Sequence, residues 1–248
     1  MNNTLNEKSL ISIIMNCYNG ETYLSESIKS VLSQTYKNWE LIFWDNQSQD
    51  ESVKIFNTYN DKRFKLFNAE KHTILYEARN LAIQKTSGEL IAFLDTDDIW
   101  LPDKLSKQVV LFKDEEVALV YGNFWILNND LIFKKKIFCR KKLPTGNVLK
   151  SILSNYNVGL STIIIKKKKI KNIQNVFNTK YDLISDFDFV INFSINNNFQ
   201  CIQKPVAYIR VHEKSLSHIF VDQLIFQFKE WYIFAQSNCD LSTHKELK

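Results

Sequence analysis

Residues 90–101 read Leu-Ile-Ala-Phe-Leu-Asp-Thr-Asp-Asp-Ile-Trp-Leu, an apolar run that leads directly into a group of acids. The leading apolar run predicts a strand that is buried on both faces of a sheet. Asp95, Asp97 and Asp98 follow it directly, and because buried charge is costly unless it is paired or metal-bound, they should lie where the strand meets solvent. Open α/β sheets bind ligands at that edge. Clustered carboxylates there favour Mg²⁺ or Mn²⁺, ions that usually bring substrate phosphates with them.

The sequence before this stretch alternates strands with helices. Strands are predicted at residues 10–15, 39–44 and 64–67, and the last helix before the acids at residues 77–86, with Gly88 as its end. Such alternation produces a parallel sheet with right-handed crossovers. Asp45 ends the second strand as Asp95 ends the fourth, so the two acids should lie at one sheet edge and could share a ligand.

The pattern changes after residue 117. Runs at residues 117–127 and 131–139 predict a hairpin-like antiparallel excursion. Short strands are predicted at residues 161–165 and 206–211, and a helix at residues 186–193 lies between them. The tail at residues 219–234 has a helical pattern and many aromatic side chains. The expected fold class is therefore α/β, with a mixed, mainly parallel central sheet flanked by helices, a smaller antiparallel excursion and a C-terminal helix.

Composition narrows the class of protein further. Hydrophobic residues make up 45% of the chain, enough for a substantial core, and the net charge of +5 is too modest to predict a nucleic-acid partner. The 4 cysteines are scattered, which favours free thiols in a reducing compartment over a zinc site or a disulfide framework. No signal-peptide layout is present, and no apolar run approaches the ~20 residues of a membrane-spanning helix. We therefore expect a cytoplasmic protein, at most peripheral to the inner face of the cell membrane.

Five stretches together resemble the family 2 glycosyltransferases of the GT-A fold. They are residues 9–19 (SLISIIMNCYN), 34–50 (QTYKNWELIFWDNQSQD), 78–82 (ARNLA), 88–105, and 208–212 (YIRVH). The resemblance implies an inverting transfer of a sugar from a nucleotide-diphosphate sugar, most commonly a UDP-sugar, with Mn²⁺ or Mg²⁺ as cofactor. The acceptor would be a hydroxyl of a glycan or lipid-linked molecule in surface polysaccharide or glycoconjugate synthesis. It also implies one GT-A domain over residues 1–248, with a nucleotide-sugar half (9–115), an acceptor half (116–215) and a helical tail (216–248).

The resemblance assigns roles to individual residues on the donor side. Asp97 would bind the divalent ion, while Asp95 would hold the ribose or add to the metal shell; Asp98 would support them or cap a helix. His212 would complete the metal shell, contact the diphosphate or be structural. The nucleotide-binding candidates, with their structural alternatives, are Asp45 for the base (or an Asx turn), Tyr18 and Asn19 for base and ribose (or plain turn residues), and Arg79 (or a surface salt bridge).

An inverting mechanism also needs a base that takes the acceptor's proton. The family places a carboxylate at the start of a later helix, and the matching segment is residues 184–190, Ile-Ser-Asp-Phe-Asp-Phe-Val. Asp186 is the favoured catalytic base, with Asp188 as the alternative; on a helix the two point in different directions, so both cannot serve. Either could instead be an N-cap acid at the helix start.

The sequence does not assign a single role to the basic runs or to the aromatic tail. The basic runs at residues 134–142 and 166–171 fit a solvated face or attraction to anionic lipid headgroups. The aromatic tail fits membrane-surface contact, a homodimer interface or core packing, of which core packing is favoured. Nucleotidyl transfer and non-catalytic sugar-nucleotide binding are the alternative functions. Nucleotidyl transferases usually have a glycine-rich phosphate loop after the first strand, and residues 16–20 do not form one.

Overall fold

A mixed sheet of nine strands forms the centre of the structure, a computed structural model that describes residues 9–128, 135–213, 215–237 and 241. The strands are β1 (Ile11–Cys17), β2 (Trp39–Asp45), β3 (Phe64–Asn68), β4 (Leu90–Phe93), β5 (Ile99–Trp100), β6 (Val117–Asn128), β7 (Lys136–Ile137), β8 (Ile164–Lys166) and β9 (Asn198–Val211). The helices are α1 (Glu21–Leu32), α2 (Ser52–Asn57), α3 (Leu75–Gln84), α4 (Lys104–Val109), α5 (Leu149–Ser154), α6 (Ser185–Ser194), α7 (Leu216–Ile219) and α8 (Val221–Ser237).

The strand order is β3-β2-β1-β4-β8-β6-β9-β5, with β7 paired to β6. The first four strands in this order are parallel, and β8 is antiparallel to both β4 and β6. In the β1–β2 pair Cys17 lies opposite Asp45, so both strands end at the same edge of the sheet. The expected fold class, mixed and mainly parallel with flanking helices and an antiparallel part, is confirmed.

Two apolar layers hold helices against the faces of this sheet. Along β1, Ile13 belongs to one buried apolar cluster together with Leu24 and Ile28 of α1, whereas Ile14 belongs to the other cluster together with Ala78 of α3. Alternation of this kind follows from the two-residue period of a strand, which sends successive side chains to opposite faces. Burial on both faces explains why β1, β2 and β4, which are buried along their whole length, are mainly apolar.

Three local predictions are wrong in detail. Gly88 does not end α3, which ends at Gln84; it lies where an added Cβ would be 2.5 Å from the carbonyl oxygen of Leu10, so close approach to the first strand explains this glycine. The predicted strand at 161–165 starts as a 3-10 turn at Leu160–Thr162, and β8 begins only at Ile164. The predicted last strand is the second half of the longer β9, whose pairing with β6 shifts register around residues 202–205.

The tail and one basic run also differ from expectation. In α8, Trp231 and Ala235 are buried, but Phe226 is 59% exposed and Ile233 is 67% exposed. Core packing, the favoured prediction, therefore holds for one stripe of the helix and is wrong for most of its apolar side chains. The run at 166–171 is not a uniformly solvated face, because Lys166 is fully buried and donates to the carbonyl oxygens of residues 114 and 115. Residues 129–134, part of the predicted hairpin, lie outside the described residues.

Within the described residues, no helix combines the length and the apolar character needed to cross a bilayer.

Glu40 is a buried acid near the amino end of β2, and it makes the free energy of unfolding depend on pH. Burial by itself raises a carboxyl pKa, but hydrogen bonds from Lys65, Ser12 and Ser87 outweigh it and lower the pKa of Glu40 from 4.5 to about 2. A lowered pKa in the folded state stabilises the fold at pH values above the unfolded pKa, and this contribution is lost as the pH falls towards 2. We therefore expect Glu40→Gln to cost about 3 kcal/mol at neutral pH and much less near pH 3.

Urea unfolding of both proteins at the two pH values measures this difference. The exposed Glu89 provides a matched control, and Glu89→Gln should unfold like the wild type at both. An equal destabilisation of Glu40→Gln at neutral and acid pH would contradict the assigned charge effect.

Candidate active site

The carboxyl ends of β1, β2 and β4 meet at one edge, and most of the candidate residues lie there. Asp45 is the last residue of β2, and the acids from Asp95 onward begin two residues after β4 ends. The amide of Leu94 donates to the carbonyl oxygen of Ile14, and that of Asn46 donates to the carbonyl oxygen of Cys17, so both exits are tied to β1. The prediction that Asp45 and Asp95 share one sheet edge is confirmed.

The base-binding candidates form one end of this edge. Asp45 is 4% exposed, and its carboxylate accepts from the amide of Ser48 at 3.2 Å, so the alternative of a turn-stabilising aspartate is part of its role. Tyr18 is 53% exposed, with its ring 4.2 Å from that of His72. Asn19 adopts a left-handed conformation with φ 53°, and its side-chain oxygen accepts from the amide of Gln49 at 2.8 Å. Asn19 thus joins the loops after β1 and β2, whereas Tyr18 presents an open aromatic surface.

His72 carries no functional signal in the sequence, yet its ring lies beside that of Tyr18. Its Nδ1 is 2.9 Å from the carbonyl oxygen of Asn46, the residue after Asp45. The side chain of Asn46 in turn bonds the backbone of Thr73 at both ends, which fixes the loop that carries His72. A carboxylate at position 46 could not donate to the carbonyl oxygen of Thr73. This hydrogen bond therefore gives the amide of Asn46 a structural role in the loop.

Arg79 and Asp95 form an ion pair at the centre of the edge. Arg79 is on α3 and 3% exposed, whereas the side chain of Asp95 remains 37% exposed. The alternative of a surface salt bridge is therefore wrong for Arg79, whose guanidinium reaches the site from a buried position. An arginine held in this way fixes the orientation of Asp95 and leaves part of its carboxylate open to solvent.

Asp97 and Asp98 are held by β9 and by the residue that follows it. Oδ2 of Asp97 lies 3.0 Å from Nε2 of His212, and both side chains are partly exposed. Burial, together with the charge of Asp95, raises the pKa of Asp97, and the contact with His212 opposes that rise. Asp98 is buried, accepts from the hydroxyl of Ser161, and accepts from the amide of Arg210 at 3.0 Å. It therefore ties the acidic loop to the second half of the chain and does not cap a helix.

The chemistry of Asp97 and His212 fits a divalent ion. A carboxylate oxygen and an imidazole nitrogen converge at the open end of the strand, and both suit Mn²⁺; the carboxylate also suits Mg²⁺. Across the ranges that the structure describes, no group of three or more His, Cys, Asp or Glu side chains forms a complete metal cage. Two protein ligands are sufficient for an ion whose remaining ligands are substrate phosphate oxygens and water.

Asp186 is the second residue of α6, and its side chain reaches α3. Its Oδ1 accepts from the hydroxyl of Tyr76 at 2.8 Å. Burial raises the pKa of Asp186, while the Tyr76 hydrogen bond and the charge of Arg79 favour the ionised form. Because Ile184 occupies the N-cap position of α6, neither Asp186 nor Asp188 is the helix cap.

Asp188 points towards the C-terminal helix. Its Oδ1 accepts from the indole Nε1 of Trp231 at 2.8 Å and from Nδ2 of Asn192 at 2.9 Å. Asp188 is 6% exposed, so these contacts account for its carboxylate. The two acids therefore point in different directions, and only Asp186 contacts a helix that also contributes Arg79.

Tyr76 was not singled out in the sequence, although a signal was available. It precedes Arg79 by three residues, and residues with that spacing share one face of a helix. Ser161 carries no comparable signal, because its partner Asp98 is 63 residues away along the chain.

A nucleotide-sugar transferase of the GT-A type is the class that this sheet and its acidic edge define. A family model described as "Glycosyl transferase family 2" matches residues 12–173. The chain belongs to this family of glycosyltransferases.

Relatives agree with this assignment, and a solved structure has the same fold. The UDP-Glc:alpha-D-GlcNAc-diphosphoundecaprenol beta-1,3-glucosyltransferase WfgD of Escherichia coli is 34% identical over 193 residues, which are 78% of this chain and 73% of WfgD. WfaP of the same organism, with the same activity in its name, is 31% identical over 218 residues, 88% of this chain and 84% of WfaP. The structure of S. aureus TarS 1-349 in complex with UDP-GlcNAc superposes with a TM-score of 0.70 at 21% identity and covers 83% of this chain. This chain spans only 59% of that TarS fragment.

Proposed function

We propose that this protein transfers a sugar, with inversion, from a UDP-sugar to a hydroxyl of a lipid-linked glycan acceptor in polysaccharide synthesis. One observation carries the proposal. Tyr76 and Arg79, a single turn apart on α3, contact the base candidate Asp186 and the donor-side acid Asp95, respectively. The acceptor base and the diphosphate-binding edge are therefore neighbours, as a direct displacement at a sugar carbon requires.

On the donor side, Asp45 would accept a hydrogen bond from the imide N–H of uracil, and Tyr18 with His72 would give the base an aromatic surface. Asp95, oriented by Arg79, would hold the ribose. Asp97 and His212 would hold the divalent ion, which when bound supplies Lewis-acid stabilisation to the departing diphosphate. These roles place the nucleotide along the carboxyl ends of β1, β2 and β4.

On the acceptor side, Asp186 would take the proton from the attacking hydroxyl. The acceptor oxygen forms a bond to the anomeric carbon as the bond from that carbon to the diphosphate oxygen breaks, and the nucleoside diphosphate leaves. Attack opposite the leaving group inverts the configuration at that carbon. Asp188 does not compete for this role, because its carboxylate is occupied by Trp231 and Asn192.

The relatives support the choice of substrates. WfgD and WfaP are named for UDP-Glc as donor and a GlcNAc-diphosphoundecaprenol acceptor, and they match more than three quarters of this chain. The TarS complexes contain UDP-GlcNAc or UDP. A different base is represented by a Pyrobaculum calidifontis mannosyltransferase in complex with GDP-Man and Mn²⁺, with a TM-score of 0.66 at 17% identity. A UDP-hexose and a diphospholipid-linked sugar are therefore the substrates we propose to test first.

A panel of nucleotide sugars with Mn²⁺, read by thermal shift, tests the donor, because a ligand that binds only the folded state raises the melting temperature. The donor that gives the largest shift is then incubated with a diphospholipid-linked GlcNAc acceptor, and nucleoside diphosphate release is measured. We expect a UDP-sugar to bind and to turn over only with acceptor and divalent ion. Binding without transfer to any acceptor in a broad screen would support a non-catalytic sugar-nucleotide binder instead.

Asp45→Asn tests base recognition. The asparagine keeps an oxygen that accepts from Ser48, but its amide group would oppose the imide N–H of uracil instead of accepting from it. We expect the KM for the donor to rise roughly 10- to 100-fold with kcat little changed. Steady-state kinetics with varied donor measure this, and Glu70→Gln, exposed on the neighbouring loop, is the control. An unchanged KM would remove Asp45 from the base site.

Membrane contact, a homodimer and a cytoplasmic location stay predictions, as does the division into a nucleotide half, an acceptor half and a tail.

A further inference from the structure

We propose that Tyr76 is a positioning residue that orients the carboxylate of Asp186 for proton transfer, an inference that rests on the proposed function of Asp186 as the base. The phenol hydroxyl of Tyr76 donates to Oδ1 of Asp186 at 2.8 Å across 110 residues of sequence. Tyr76 is 4% exposed, so solvent does not compete for this hydroxyl. A buried, charge-assisted hydrogen bond of this kind fixes the carboxylate strongly.

The phenol itself is held in place from two directions. The Tyr76 ring packs against that of Phe177 with centroids 5.4 Å apart. Its hydroxyl also lies 3.5 Å from the carbonyl oxygen of Leu183, just before α6 begins. Contacts other than that with Asp186 therefore hold the tyrosine in place, as is required of a residue that sets the geometry of a neighbour.

This contact assigns different tasks to the two carboxylate oxygens. Oδ1 is committed to Tyr76, so Oδ2 is the oxygen that we assign to the acceptor hydroxyl. Rotation about the terminal torsion of an aspartate is soft, and without the phenol the backbone hydrogen bond at Phe187 would remain but the side-chain partner that fixes the carboxylate from α3 would be lost. The tyrosine therefore preserves the one orientation in which the base faces the acceptor, and proton transfer depends on that geometry.

The charges around Asp186 predict how the pH profile responds. Asp186 faces Tyr76 and Arg79 of α3, Asp95 after β4, and Tyr156 after α5, while Asp188 on its own helix points to α8. Burial and the charge of Asp95 disfavour the carboxylate, whereas the hydrogen bonds from Tyr76 and the backbone of Phe187 and the charge of Arg79 favour it. Removing the phenol hydroxyl therefore raises the pKa of Asp186, and the acid limb of kcat/KM against pH should move to higher pH.

Tyr76→Phe is the test, because it keeps the ring and removes only the hydroxyl. We expect kcat to fall roughly 10- to 100-fold, with the KM for the donor within about twofold of wild type and the acid limb displaced to higher pH. Donor titration by calorimetry counts the folded enzyme, so kcat is expressed per binding-competent molecule. Tyr121→Phe is the matched control, since that buried hydroxyl donates to the carbonyl oxygen of Pro144 in another part of the core. It should lose a similar amount of stability while keeping kcat and the pH profile.

Asp186→Asn, assayed in parallel, separates the role proposed for Asp186 as the base from the role proposed for Tyr76 as its positioning residue. If Asp186→Asn turns over normally, the proposed base is wrong and the role of Tyr76 is wrong with it. If Asp186→Asn is inactive while Tyr76→Phe keeps wild-type kcat and pH profile, the base stands and the positioning role is overturned. A fall in kcat with an unmoved pH profile, equal to that of Tyr121→Phe, would show a structural effect alone and also overturn it.

Discussion

Asp97→Asn is expected to slow nucleoside diphosphate release on the order of 10³-fold, even with saturating donor and Mn²⁺. Asp97 is the acid of the 95–98 group whose carboxylate is both partly open and paired with the other metal candidate, His212, at 3.0 Å. Replacing it by an amide removes the negative charge that attracts the ion and leaves His212 without its carboxylate neighbour. The loss should appear in kcat, because the diphosphate bears most of its new charge in the transition state.

A binding measurement independent of turnover strengthens this test. Titration of Mn²⁺ in the presence of nucleoside diphosphate, followed by electron paramagnetic resonance, should show much weaker binding to Asp97→Asn than to wild type. Asp103→Asn provides the control, since Asp103 lies six residues on and forms only a half-exposed pair with Lys107. Full turnover of Asp97→Asn with saturating donor would refute the metal role assigned to this residue.

The parts of the site that the sequence predicted depend on local pattern. Apolar runs identify β1, β2 and β4 because strands buried on both faces need no partner to be recognised. Because these strands are parallel, the residues at their carboxyl ends lie at one edge of the sheet. The common position of Asp45 and Asp95 can therefore be predicted without any knowledge of packing. The sheet edge was therefore predictable from short windows of sequence.

The contacts that finish the site are long-range, and no local pattern encodes them. Local pattern leaves Asp98 two roles, support for the other acids or a helix cap, because its actual partners, Ser161 and the amide of Arg210, are 63 and 112 residues away. The hydrogen bond from Tyr76 to Asp186 spans 110 residues. A turn residue and a structural acid look alike in sequence, and only the fold distinguishes them.

The C-terminal helix shows a second limit. The apolar residues of α8 are distributed around the whole helix, so its hydrophobic pattern identifies no unique buried face. The structure selects the stripe of Trp231 and Ala235, because the indole of Trp231 reaches Asp188 on α6. The side of this helix that faces the core is thus the one where Trp231 both hydrogen-bonds Asp188 and packs against Phe187, a long-range combination that the distribution of apolar residues along the helix does not reveal.

Asp186→Asn should lower kcat by 10²- to 10⁴-fold, the range typical of a lost general base, while donor affinity stays close to that of wild type. The amide cannot take a proton from the acceptor hydroxyl, although it can still accept from Tyr76. The residues that we propose to bind the donor lie along β1, β2 and β4, so calorimetric titration with donor should give a nearly unchanged Kd. A parallel loss of donor affinity and turnover would contradict a role confined to proton transfer.

Asp188→Asn is the matched variant, because it makes the same chemical change two residues further along α6. Asp188 bonds Trp231 and Asn192, so its replacement should loosen the packing of α8 and lower the melting temperature. With folded enzyme counted by donor titration, its kcat should remain near that of wild type. The opposite result, a normal Asp186→Asn and an inactive but stable Asp188→Asn, would transfer the catalytic role to Asp188. Since the two carboxylates face different helices, kinetics and melting temperature together assign each acid to one task.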